Sequence, residues 1–156
     1  MTRIAKYSYR RRLPHLQRDN KPVFVTFRTI SKDTIPEAYR GLVLQHCLHD
    51  NHRKLEMHAV VVMPDHVHLL FTPLNDTKGQ PFSLVGIMSG IKGASAHSLN
   101  KARNRRGPVW QEESFDHVLR SAESLEDKIE YIALNPVAQK LVKKPGDYRW
   151  LWIEEP

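Results

Sequence analysis

Leu55-Glu-Met-His-Ala-Val-Val-Val-Met63 and His66-Val-His-Leu-Leu-Phe-Thr72 are two strongly apolar runs separated only by Pro64-Asp65. Proline presets the backbone for a turn and aspartate favours tight reversals, so the two runs predict a β-hairpin. The first run is nearly all apolar at its end, which places it centrally in a sheet. A chain of 156 residues built around such a hairpin has room for one domain with a real core. Its single cysteine, Cys47, excludes an internal disulfide framework and a multi-cysteine zinc site.

The remaining elements follow from pattern. Pro22 to Ile30 is rich in β-branched and aromatic residues and reads as a strand. Pro36 suits a first helical turn, ahead of apolar positions Tyr39, Leu42, Val43, Cys47 and Leu48. Residues 82–100 have helical spacing at Leu84, Ile87, Met88 and Ile91, with Ser83 as the cap. Gly86, Gly90 and Gly93 weaken that helix and leave space for a close neighbour. Val109-Trp110 and residues 115–120 read as a fourth strand broken around residues 112–114. Ser124-x-x-Asp127 resembles a capping box for a last helix through Leu125, Ile129, Ile132 and Ala133. Asn135-Pro136 is expected to disturb it, because the residue before proline avoids the α region. The order β, α, β, β, α, β, α predicts an α+β fold with a ferredoxin-like or RNA-recognition-motif-like antiparallel sheet, its helices mainly on one face. The expected division is a basic arm (1–21), a main domain (22–140) and a packed tail (141–156).

The net charge of +7 is concentrated. Residues 1–21 carry seven cations against Asp19 alone, and residues 92–106 carry five cations and no acid. Arg10, Arg11, Arg12, Lys92, Arg103, Arg105 and Arg106 are therefore the expected phosphate-binding residues, although solvated surface would explain them equally well. No apolar run has the length of a bilayer span and no signal-peptide core is present, so no membrane partner is expected and the chain reads as soluble and cytoplasmic.

His66 and His68 project from the same face of their strand, with Val67 on the other. A pair of neutral imidazoles is half of a divalent-metal site, although a half-exposed polar sheet face would also explain a bare His-x-His. Tyr131 and Asn135 lie one helical turn apart. If their face crosses the histidines, the Asn135 carboxamide oxygen completes a three-ligand set and the Tyr131 hydroxyl sits beside the ion. A phenol is a poor nucleophile at neutral pH, and a metal that polarises a phosphate eases its attack. Taken singly, Asn135 reads as a helix-end residue and Tyr131 as a packing residue. His46, His49 and His52 recur at helical spacing without a ligand set of their own. Trp110, Trp150 and Trp152 suit either base stacking or the core, Tyr148 an anchor, and Cys47 packing.

Val61-Val-Met-Pro-Asp-His-Val-His-Leu-Leu-Phe71 resembles the His-hydrophobic-His signature of the HUH single-tyrosine transposases. Within them the resemblance is to the REP-associated tyrosine transposases. Arg12-Leu-Pro-His15, Val25-Thr-Phe-Arg28, Trp110 to His117 and Tyr131-Ile-x-x-Asn-Pro-Val137 look like further blocks of that family, in its order, over nearly the whole chain. The resemblance implies a ferredoxin-like catalytic domain and a Mg²⁺ or Mn²⁺ ion held by His66, His68 and Asn135. It also implies Tyr131 as the nucleophile that cleaves single-stranded DNA, leaving a 5′-phosphotyrosine and a free 3′-hydroxyl. The implied substrate is a palindromic-repeat hairpin with a short single-stranded flank, and the implied setting a bacterial nucleoid. Asp65 is given no catalytic role. Monomer and homodimer both remain open. Two other readings compete: a non-catalytic RNA-recognition-like binding domain, and a metal nuclease that uses water in place of tyrosine.

Overall fold

The computed structural model describes residues 20–120 and 122–156. Five strands form one antiparallel sheet: β1 (Val23–Arg28), β2 (Leu55–Val62), β3 (His66–Pro73), β4 (Phe115–Val118) and β5 (Leu151–Ile153), in the order β4-β1-β3-β2-β5. The expected hairpin is β2-β3, closed where the Met63 amide donates to the His66 carbonyl at 2.8 Å. All eight residues of β2 are buried, and β3 is buried up to its last residue. That is why their sequences run apolar with little alternation.

Three helices cover the sheet: α1 (Glu37–Leu48), α2 (Leu84–Arg103) and α3 (Ala122–Ala138). Val43 and Cys47 of α1 and Ile87, Met88, Ile91 and Leu99 of α2 pack with Val25, Phe27, Val67, Leu69 and Phe71 on one face. Leu125, Ile129 and Ile132 of α3 pack on the opposite face with Phe24, Val61 and Leu70. Two helices thus share one face, as expected, and the third takes the other. A register shift between Met57 and Ala59 exchanges the faces along β2. Leu55 and Met57 point towards α1 and α2 on one side of the bulge, as Val60 and Val62 do on the other.

Local differences from the sequence reading have clear causes. Ser83 does cap α2, its hydroxyl accepting from the Gly86 amide at 3.0 Å, and the helix runs to Arg103 before Asn104 ends it in the left-handed region. No neighbour fills the space beside Gly90 or Gly93 among the described residues. Helix α3 begins at Ala122, so Ser124 lies in its first turn and is not the cap. Pro136 sits inside α3 and the helix continues to Ala138. The proline removes one amide donor near the C-terminus, while the Gln139 amide still bonds the Asn135 carbonyl at 3.0 Å. The fourth strand is broken as expected, with Trp110 making a single bridge to Thr29 and β4 starting at Phe115. The tail supplies β5, which pairs with β2.

Candidate active site

The hairpin turn is clamped from outside. The Asp65 carbonyl accepts from the Thr29 amide at 3.0 Å and from its hydroxyl at 3.2 Å, and the Pro64 carbonyl accepts from the Ile35 amide. With the backbone so held, the Asp65 carboxylate lies 2.7 Å from His66 Nδ1. A carboxylate only accepts, so His66 Nδ1 carries the proton and, in the neutral ring, the lone pair is on Nε2. Two residues on, His68 Nδ1 meets the Thr26 hydroxyl at 2.7 Å across the β1-β3 pair. The imidazole centroids are 4.7 Å apart. Neither Nε2 has a hydrogen-bond partner among the described residues. A ring nitrogen tied to the protein with its partner nitrogen left free is the arrangement of a metal-ligating histidine.

Helix α3 brings the nucleophile candidate to this point. Tyr131 is half-exposed and its ring centroid lies 5.6 Å from that of His68. Phe24 braces both, stacked on His68 at 5.4 Å and edge-on to Tyr131 at 6.0 Å. Thr26, Arg28, His68, Phe115, Lys128 and Tyr131 line one open groove of about 730 Å³. One turn beyond Tyr131, Asn135 is buried and its Oδ1 has no hydrogen-bond partner. A buried carboxamide oxygen without a donor costs of order 1–3 kcal/mol unless something binds it.

Burial first, then the neighbouring His66, then Arg28 and Lys128, lower the His68 pKa to about 3. The imidazole is therefore neutral across the physiological range, as a ligand must be. Among the described residues no three His, Cys, Asp or Glu side chains gather as a metal site. An ion held by the two imidazoles would need a third donor of another type, and the Asn135 oxygen, buried without a hydrogen-bond partner one helical turn from Tyr131, is of such a type. Two imidazole nitrogens and one amide oxygen would suit a divalent first-row ion such as Mn²⁺.

The "Transposase IS200 like" family model matches residues 25–134, a stretch that includes both histidines and Tyr131 and stops just short of Asn135. The chain belongs to the IS200-like transposase family. It is 29% identical over 97 residues to the REP-associated tyrosine transposase of Escherichia coli K12, covering 62% of this chain and 53% of that one. It is 24% identical over 115 residues to a Haemophilus influenzae protein provisionally given the same name, covering 70% and 64%. The chain therefore spans between about half and two thirds of the length of these relatives. A solved REP-associated tyrosine transposase bound to a REP hairpin superposes with a TM-score of 0.69 at 22% identity, over 92% of this chain and 81% of that one. The fold is thus that of a known member of the family.

The structure brings His66, His68 and Tyr131 together and gives the stripe His46, His49 and His52 separate partners. His46 bonds Ser98, His49 bonds Asp50 and His52 bonds Glu56. The expected phosphate-binding cations divide. Lys92 Nζ donates to the Gln111 and Glu112 carbonyls and to the Ser114 hydroxyl, and burial lowers its pKa against an opposing pull from Glu112. Arg103 is nearly buried and pairs with Asp33 at 3.1 Å. Arg105 also reaches Asp33, at 3.4 Å, yet stays half-exposed, and Arg106 is exposed. Arg10, Arg11, Arg12 and the block at residues 12–15 lie outside the described residues. Trp110 is core, edge-on to Phe27 and donating to Ser95. Tyr148 is an anchor, its hydroxyl donating to the Val62 carbonyl at 2.6 Å. Cys47 is buried packing, its thiol pKa pushed up by burial.

Sequence reasoning missed four residues. Asp65, considered and given no catalytic role, and Thr26, named only within the block Val25-Thr-Phe-Arg28, bond the two imidazoles. Arg28 and Lys128 enter the groove from different elements; Arg28 is marked only as part of the block Val25-Thr-Phe-Arg28, and nothing local marks Lys128.

Proposed function

We propose that this chain is a metal-dependent single-stranded DNA endonuclease and strand transferase that works through a 5′-phosphotyrosine intermediate. The observation that carries the reading is the Tyr131 ring beside two imidazoles whose Nε2 atoms are free. His66, His68 and Asn135 would hold the divalent ion, Mg²⁺ or Mn²⁺, which when bound polarises the phosphate oxygens and offsets charge developing in attack. Asp65 and Thr26 fix the ring orientations. Phe24 holds the tyrosine ring against the His68 ring.

In the cleavage step a bond forms between Tyr131 Oη and phosphorus as the bond from phosphorus to the 3′-oxygen breaks. The phenolic proton is lost and the departing 3′-oxygen gains one, leaving a free 3′-hydroxyl. Attack of a 3′-hydroxyl on the phosphotyrosine reverses these changes, so joining needs no nucleotide cofactor.

The substrate in this reading is a palindromic-repeat hairpin with a short single-stranded flank; the superposed relative is bound to a REP hairpin. Exposed Arg106, with the arm at Arg10, Arg11 and Arg12, would hold its phosphates. The site would act at a bacterial nucleoid, and no helix among the described residues is long and apolar enough to cross a membrane.

The test is cleavage of an end-labelled repeat hairpin with Mg²⁺, Mn²⁺ or EDTA. Cutting with either ion, none in EDTA and none by Tyr131→Phe is the expected result. Cutting by Tyr131→Phe as fast as by wild type would replace the tyrosine with water as the nucleophile. Tight binding without cutting in either ion would make the chain a binding domain.

A further inference from the structure

We infer that Arg28 and Lys128 form a two-sided clamp for a backbone phosphate of single-stranded DNA at the mouth of the imidazole groove. The inference deepens the reading above and rests on it for the kind of ligand.

Of the cations conspicuous in the sequence, Lys92, Arg103 and Arg105 are already bonded to acceptors within the protein. Arg28 and Lys128 are different. Arg28 is exposed at the end of β1, opposite His66 in the β1-β3 register. Its side chain has no hydrogen bond or ion pair among the described residues. Lys128 Nζ lies over the Phe24 ring at 4.7 Å and the Tyr131 ring at 5.5 Å, and it too has no acid partner among them. Glu113 is the one carboxylate lining the same groove, and it pairs with neither.

The two mounts matter. Arg28 is fixed to the strand that pairs with the histidine strand, whereas Lys128 is three residues before Tyr131 on α3. An anion held by both would tie the tyrosine's helix to the sheet and seat the phosphate between hydroxyl and imidazoles. The two side chains are complementary, since a guanidinium offers phosphate a planar fork and an ammonium offers a compact charge. Phe24 under Lys128 keeps the ammonium forward, against a ring face that attracts it.

The experiment is binding of a fluorescent oligothymidylate in EDTA, where no cleavage intervenes, followed across a range of salt concentrations. Each phosphate contact on a single strand contributes a slope of about −0.7 in log K against log salt. The double variant Arg28→Gln/Lys128→Gln should lose about 1.4 of that slope and each single variant about half as much. The control Lys143→Gln/Lys144→Gln removes the same charge from an exposed site outside the groove and should leave the slope unchanged. Circular dichroism verifies folding, and the single variants carry the test if the double variant does not fold. An unchanged slope in the folded groove variants, or an equal loss in the control, overturns the clamp and leaves the DNA reading standing. Absence of any salt-dependent binding by wild type overturns both.

Discussion

His58 and the pair His66/His68 lie on the central strands of the same sheet, in equally apolar sequence, and meet opposite fates. His58 is completely buried with both ring nitrogens committed, Nε2 to the Thr72 hydroxyl at 2.7 Å and Nδ1 to the Glu154 carboxylate at 2.9 Å. It fastens the tail that follows β5 to the sheet. His66 and His68 each give one nitrogen to the protein and keep the other free, and the His68 ring lies against that of Tyr131. Burial alone therefore says little about a histidine. The number of nitrogens that the fold consumes separates a bolt from a ligand.

The contrast can be broken at its strongest point first. Tyr131→Phe should abolish strand cleavage while changing stability by less than about 0.5 kcal/mol in urea unfolding, because the hydroxyl is on a half-exposed residue. His58→Ala should do the reverse. Losing two buried hydrogen bonds and stranding Glu154 should cost about 2–4 kcal/mol, with Mn²⁺ affinity in calorimetry unchanged. Equal loss of metal affinity there would merge the two kinds of histidine into one. Thr26→Val and Asp65→Ala sharpen the comparison from the ligand side. Each should weaken Mn²⁺ binding by about 10- to 100-fold, since each removes the group that orients an imidazole.

The last comparison is in pH dependence. The His68 pKa is lowered from the ordinary 6.5 to about 3 in the folded protein. Between those values the unfolded chain binds a proton that the folded one refuses. This contribution to stability is therefore whole above pH 6.5 and is lost progressively as pH falls towards 3. The melting temperature of metal-free protein should fall over that window, and less steeply in His68→Gln. An unaltered acid profile in that variant would place the titration elsewhere.

Much of this was legible in the residues themselves. The Pro64-Asp65 hairpin, the Ser83 cap and the interrupted fourth strand follow from local backbone chemistry, and each stands where the sequence put it. Tyr131 and Asn135 were readable as one helical face. The start of α3 and its passage through Pro136 were not, because tertiary packing of Leu125, Ile129 and Ile132 on the sheet outweighs local preference. The fate of the basic segments was equally hidden. Arg103 meets an acid 70 positions away, and Lys92 is occupied by carbonyls of a loop 19 and 20 positions away. Charge clusters in a sequence identify cations, but only the fold tells which of them are still free.

The central claim is that the tyrosine on α3 is the residue that takes the DNA. Its most direct test is to trap the adduct with a 3′-labelled repeat hairpin in Mn²⁺, digest with trypsin and sequence the labelled peptide by mass spectrometry. The fragment from Ile129 to Lys140 contains a single tyrosine, Tyr131. A nucleotide on that fragment is the predicted result. A nucleotide on another tyrosine, or efficient cutting that leaves no protein-linked DNA, would contradict the account.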